Sequence, residues 1–165
     1  MPPTQAQLDE VRSYIQRQAA EKSVEQLVAS VRDGVAGLTA AANGFSEDAL
    51  ARISAGEEWT PLQCLSHIVE SNIRNGQQVL YVALSGELPP DEPVVLPANR
   101  DQLLGSHHEA MESLYIHVLE ADPEAFLDVR WTHQFFGALN WREWFIFLRV
   151  HCLDHTRQLQ AMLGA

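Results

Sequence analysis

Five times along this chain a Ser, Thr or Asn is followed three residues later by Gln or Glu: Thr4/Gln7, Ser23/Gln26, Thr60/Gln63, Asn99/Gln102 and Asn140/Glu143. Each time an apolar run with helical spacing comes next. This is the capping-box pattern, in which two side chains satisfy backbone N–H groups that the first turn of a helix leaves free. At the third of these, Pro61 occupies the first helical position, where its missing N–H costs nothing. The boxes predict helices over about 4–20, 23–43, 60–84, 100–120 and 140–163, with a further short turn over 46–53. Their apolar stripes are Leu8, Val11 and Ile15; Val24, Leu27, Val28, Val31, Val35 and Leu38; Leu62, Leu65, Val69, Ile73, Leu80 and Ala83; and Leu104, His107, Met111, Leu114, Tyr115 and Val118. The last helix is apolar on most of its circumference. The stretch 122–139 reads as irregular and aromatic, and the sole short strand candidate is 91–96.

The connector SGELPPDEPVVLPAN is long for a helical bundle, whose links are usually about 2–8 residues. At about 3.3 Å per extended residue it can cross a bundle, so the helices on either side of it are free to run parallel. The expectation is a single all-α domain over 1–165: a four-helix bundle over about 23–163, with an additional N-terminal helix packed on it.

Charge removes several functional classes. The net charge is -11, Lys22 is the one lysine, and the arginines are scattered singly. Nucleic acid and anionic membrane surfaces both require clustered cations. No apolar run approaches the ~20 residues of a membrane span, and MPPTQAQLDE lacks the basic start and apolar core of a secretory signal. Cys64 and Cys152 show neither disulfide-scaffold nor CxxC spacing, which fits reduced thiols in a cytoplasmic protein. GxSxG, P-loop and GxGxxG signatures are absent.

The chemistry-bearing residues are histidines. Trp144, Phe147, Leu148, His151, His155 and Met162 fall on one face of the last helix, so the i, i+4 pair His151/His155 lies in the core stripe. A buried neutral histidine satisfied by a hydrogen bond is the plain reading of either alone. Two together, each needing partners for both ring nitrogens, point towards a metal ion. His67 is the third candidate. It lies about seven residues into its helix and His155 about eight from the end of its own, so in antiparallel neighbours they come to one height. Three imidazoles with one open position describe a catalytic site more than a closed structural one. Helical phase argues the other way. At about 100° per residue His67 lies opposite Leu62, Leu65, Val69 and Ile73 and beside Cys64, Ser71 and Arg74, which predicts exposure. Cys64, Glu70, His107 and Asp154 are candidates for supporting the ligands, each with a simpler role in packing or on the surface. His108, His117 and His133 are expected to be partly exposed, Cys152 to serve packing, and Trp59, Trp131, Trp141 and Trp144 to form core and pocket walls.

EEWTPLQCLSHIVES resembles the W-(S/T)-x6-H segment of the DinB-like (YfiT-like) superfamily, and FFGALNWREWFIFLRVHCLDHTRQLQ resembles its last-helix H-x-x-x-H pattern followed by Gln. The resemblance covers about 23–163. It implies an up-down-down-up bundle with the long connector as its crossover, and a divalent ion, zinc or nickel, on His67, His151 and His155. Such an ion would lower the pKa of a water or thiol in its open position. Members of that family include thiol S-transferases using bacillithiol or mycothiol, a mycothiol-dependent maleylpyruvate isomerase, and hydrolases. The expected activity is therefore thiol transfer to a small molecule, with a low-molecular-weight thiol as co-substrate, or metal-dependent hydrolysis. The competing expectation is a non-catalytic bundle that binds a small molecule or a partner. The apolar surplus of the last helix and of Trp131–Phe136 suggests a homodimer.

Overall fold

The computed structural model describes residues 3–164. Among them are six helices: α1 Gln5–Glu21, α2 Val24–Asn43, α3 Glu47–Leu50, α4 Pro61–Ser85, α5 Arg100–Val118 and α6 Trp141–Leu163. One small hairpin, β1 Trp131–His133 and β2 Gly137–Leu139, completes the all-α fold. Among the described residues no helix is long and apolar enough to cross a membrane.

Local chemistry sets the helix starts. Reciprocal capping boxes close α1, α2, α4 and α6 at Thr4, Ser23, Thr60 and Asn140. At α5 half the box forms. Asn99 Oδ1 accepts from Gln102 N, but the Gln102 side chain accepts from Asn99 Nδ2 instead of the cap backbone. A Ser or Thr cap has no amide to divert its partner in this way. The end of α4 falls at Gly86, in the left-handed region at φ 74. A Cβ there would stand 2.5 Å from the Phe126 ring, and Phe126 itself has φ 58.

Two expectations need correction. Residues 91–96 form no strand, whereas 131–139, expected to be irregular, carries the hairpin. The strands are three residues each, too short for a period-2 pattern to show. Tertiary contacts hold them: Trp131 stacks on Trp144 at 5.3 Å with the rings 5° apart, and Trp144 Nε1 donates to the Trp131 carbonyl.

The element nearest the centre is α6, which packs on α1, α2 and α4, while α5 packs on α4. Trp141 through Leu148 are all buried, as an all-round apolar helix requires. Each large apolar side chain fully buried there contributes about 1.5–3 kcal/mol by transfer from water. Two charged members of that run each find partners. Arg142 donates to the carbonyls of Pro123 and Lys22, and Glu143 pairs with Arg130 at 3.0 Å. The core has two lobes. One gathers around Phe145, Ile146, Leu148 and the hairpin, the other around Cys64, Leu65, Ile68, Cys152 and Leu159. The stretch of α6 carrying His151 and His155 joins them.

Candidate metal centre

Three histidines meet between α4 and α6. One ring nitrogen from each of His67, His151 and His155 lies within 4.8 Å of the others, a group that could hold a metal ion. Ring centroids are 5.4 Å apart for His67–His151, 5.2 Å for His67–His155 and 4.7 Å for His151–His155. The i, i+4 spacing places the α6 pair on one side of that helix. His67 meets it because α4 packs there through the face carrying Cys64 and Ser71, 0% and 6% exposed. The expected exposure of His67 is thus corrected: it is half-buried, and the side of α4 that it shares with Cys64 and Ser71 faces α6.

The second nitrogens of the α6 pair are tied down. Nδ1 of His155 lies 2.9 Å from Gln158 Oε1. Gln158 turns its amide nitrogen to Glu57 Oε2 at 2.8 Å and so presents its carbonyl oxygen, which can only accept, to the ring; the proton sits on His155 Nδ1. Its Nε2 lone pair is therefore free, and it faces His151 Nε2 at 3.0 Å. His151 Nδ1 lies 3.5 Å from Ser71 Oγ, which also accepts from Asn75 Nδ2 at 3.1 Å. If Ser71 donates, His151 carries its proton on Nε2 and bridges to His155. If Ser71 accepts, both Nε2 lone pairs converge, an arrangement that calls for a cation between them.

Burial governs the protonation of the group. It lowers the pKa of all three, with His151 pushed furthest, to about 3, and the adjacent His155, His67 and His133 adding to the effect. At His155, the bond to Gln158 and the charge of Asp154 oppose the shift. Near neutral pH all three rings are neutral, the state that a metal ligand needs.

Of the supporting candidates, Cys64 does touch the group, with Sγ 3.4 Å from His155 Nδ1 and 3.4 Å from Gln158 Oε1. Burial, with Glu57 and Asp154 nearby, pushes its thiol up to about 12, so it is not a thiolate. Glu70 pairs with Arg74 at 3.2 Å and reaches His67 only through its charge. Asp154 is exposed and acts on His155 likewise. His107 is elsewhere, buried in the α4–α5 contact, where Asn72 Nδ2 meets its Nε2 at 3.0 Å. Trp59 covers His67 at 4.9 Å, and Phe147 stacks on His151 at 5.3 Å, both acting as walls. His108 and His117 are exposed. His133 is not: at 8% exposure it is enclosed by Phe136, Trp144 and Phe147. Clefts between α4 and α5 and beneath 89–92 do not include the three histidines.

Sequence reasoning gave no supporting role to Glu57, Ser71 and Asn75, and noted Gln158 only as the Gln that follows H-x-x-x-H. Gln158 was detectable as the polar residue one turn after His155. Glu57 acts across 101 residues of chain and left no local signal.

Comparison with known families gives a match: the model of the DinB superfamily covers residues 31–159. The chain belongs to the DinB superfamily. No curated protein and no solved structure matches it. The DinB match contains all three histidines together with Cys64, Ser71 and Gln158; Glu57 and Trp59 fall within it as well, so the whole constellation belongs to the family domain.

Proposed function

We propose that this DinB protein is a divalent-metal-dependent enzyme that transfers a low-molecular-weight thiol to a small electrophilic molecule, with His67, His151 and His155 holding the ion. The observation that carries the reading is the 3.0 Å approach of two Nε2 atoms, one of which is held as a lone pair by Gln158 and Glu57. The donor set fits zinc or nickel: neutral imidazoles suit both ions, and three protein ligands leave a position open. A bound divalent ion supplies Lewis acidity, lowering the pKa of a thiol or water beside it.

The chain's own residues do the rest. Gln158 and Glu57 hold the His155 proton on Nδ1. Ser71 and Asn75 orient His151. Trp59 and Phe147 wall the group and limit water. In the transfer, the thiol sulfur bonds to the electrophilic carbon, the leaving group departs with its electron pair, and the thiol proton goes to solvent.

We also assign an up-down-down-up order to α2, α4, α5 and α6. Gly34 lies against Arg149 and Gly44 against Leu163, which supports a parallel α2–α6 pair. Cys64 near His155 and Asn72 near Cys152 support antiparallel α4 and α6. Asn72 near His107 and Gly76 against Leu114 support parallel α4 and α5 across the long connector.

The test is elemental analysis of untagged protein, followed by thiol consumption with an electrophilic substrate. One ion per chain is expected, with both the ion and the activity lost in the H67A/H151A/H155A triple variant. Metal content unchanged by the triple variant refutes the reading.

A further inference from the structure

The hairpin before α6 delivers a histidine that spends one ring nitrogen on its own turn and leaves the other without a partner among the described residues. His133 Nδ1 accepts the backbone N–H groups of Phe135 at 3.1 Å and Phe136 at 3.3 Å. A nitrogen that accepts carries no proton, so in the neutral ring the proton is on Nε2. Burial pushes the pKa of this histidine down to about 4, and the ring stays neutral at physiological pH. Its Nε2–H meets no hydrogen-bond partner among the described residues. Nor is it sealed in: the fully buried side-chain atoms without partners are Asn72 Oδ1, Tyr115 Oη, Trp131 Nε1 and Arg142 Nε, and His133 Nε2 is not one of them. An N–H donor therefore stands accessible at the edge of an otherwise aromatic wall.

That wall is shared with the triad. His133 packs on Phe147 at 4.4 Å, and the same Phe147 ring stacks on His151 at 5.3 Å. Phe136 stacks on His133 at 4.6 Å with the ring planes 22° apart, which holds the imidazole plane. Phe135, 53% exposed, stands next to it on the hairpin tip. His133 lies outside the three-histidine group, and its Nε2 carries a proton, so it is not a fourth ligand.

We infer that His133 Nε2–H is a substrate-positioning donor, which binds an sp2 oxygen of the thiol co-substrate, a carbonyl or a carboxylate, while the thiol sulfur lies at His67, His151 and His155. The inference rests on the reading of that triad as the reactive centre. A neutral donor among aromatic rings suits this acceptor class because an oxygen buried there without a partner would lose its hydration uncompensated.

The test uses full-length protein loaded with cobalt(II) and three thiols of one length: 1-propanethiol, 3-mercaptopropionamide and 3-mercaptopropionate. Binding is read from cobalt absorption. Wild-type protein is expected to bind at least one of the oxygen-bearing thiols about tenfold more tightly than propanethiol, as one buried hydrogen bond allows. Which of the two gains decides between carbonyl and carboxylate. His133→Asn keeps an acceptor where Nδ1 stands and deletes the Nε2–H. It should abolish the preference while leaving cobalt stoichiometry and propanethiol affinity unchanged. His133→Gln gives up the turn bonds but restores an N–H near Nε2, and it should recover part of the preference. No preference in wild type, or one that survives in His133→Asn, overturns the inference. Failure of cobalt to load counts against the triad reading alone. In that case the metal-free protein is titrated with 3-mercaptopropionate and followed at the His133 Nε2–H resonance by nitrogen-15 NMR. A saturable shift supports the donor role, and an unmoved resonance overturns it.

Discussion

Replacing Gln158 with Leu tests the metal centre without touching a ligand. Gln158 makes two bonds of consequence, accepting His155 Nδ1–H at 2.9 Å and donating to Glu57 at 2.8 Å. Without Oε1, His155 has two courses. It can keep the proton on Nδ1, facing only Cys64 Sγ at 3.4 Å, a weak acceptor, at a position that is 9% exposed. A buried donor left unsatisfied costs about 1–3 kcal/mol. Alternatively the proton moves to Nε2, 3.0 Å from His151 Nε2, and the lone pair needed for the ion is withdrawn. The first course lowers fold stability with or without the ion, whereas the second weakens binding, in line with the ~10–100-fold loss that follows removal of a partner behind a ligating histidine. That is about 1.4–2.7 kcal/mol. The assay is competition for zinc between the protein and a chromophoric chelator, run on wild type, Q158L and E57Q. E57Q retains an oxygen to accept the Gln158 amide, so its loss should be smaller than that of Q158L. A Q158L affinity within about twofold of wild type, with an unchanged Tm, refutes the assignment of Gln158 as the group that sets the His155 tautomer.

Acid should unfold the metal-free protein through three buried histidines. His107 and His133 are pushed down to about 4 and His151 to about 3 by burial, against about 6.5 in the unfolded chain. The unfolded state then binds more protons below that unfolded value, so stability falls as pH drops; between pH 7 and pH 5 each histidine costs about 2 kcal/mol, and urea midpoints that agree at the two pH values refute this. Gly86→Ala should cost about 2 kcal/mol or more, since φ is 74 and the new Cβ would meet Phe126 at 2.5 Å. Urea denaturation measures that cost, and adding Phe126→Ala should return part of it. Cys64 and Cys152, both 0% exposed and both pushed up to about 12, should resist aromatic disulfide reagents in the native state and titrate as two thiols after denaturation. Rapid native reaction of either refutes that.

The sequence made the helices legible because their punctuation is local. Thr4, Ser23, Thr60 and Asn140 each bond to a residue three places on, and no tertiary contact is needed to read them. The hairpin is the opposite case. Trp131 and Leu139 pair because Trp144 stacks beneath Trp131 and His133 satisfies the turn, and both causes lie outside any short window. His133 itself was expected to be partly exposed for the same reason: without the hairpin, nothing in the local sequence encloses it. At the site, the α6 pair was visible as two histidines in an apolar stripe, whereas Glu57 becomes relevant only once the loop before α4 has folded onto the end of α6.

His67 shows why helical phase is biased against a polar site inside a bundle. The stripe Leu62, Leu65, Val69 and Ile73 placed the buried centre of α4 on its apolar residues, yet Leu62 and Ile73 are only half-buried while Cys64, Ser71, Asn72 and Asn75 are buried. Two helices press on α4, with α5 meeting Asn72 and Gly76 and α6 meeting Cys64, Ser71 and Asn72. The buried arc is therefore wide, and the part of it facing α6 is polar. Any group that must be bound through imidazole, hydroxyl and amide draws those residues into the core and lowers the apparent hydrophobicity of the face it occupies. The estimated phase then rotates away from the site. Positions 64, 67, 71 and 75 still repeat at intervals of three and four, so the face can be recovered by following periodic small and polar residues opposite an i, i+4 histidine pair. On α4 that rule turns His67 towards α6, where it meets His151 and His155.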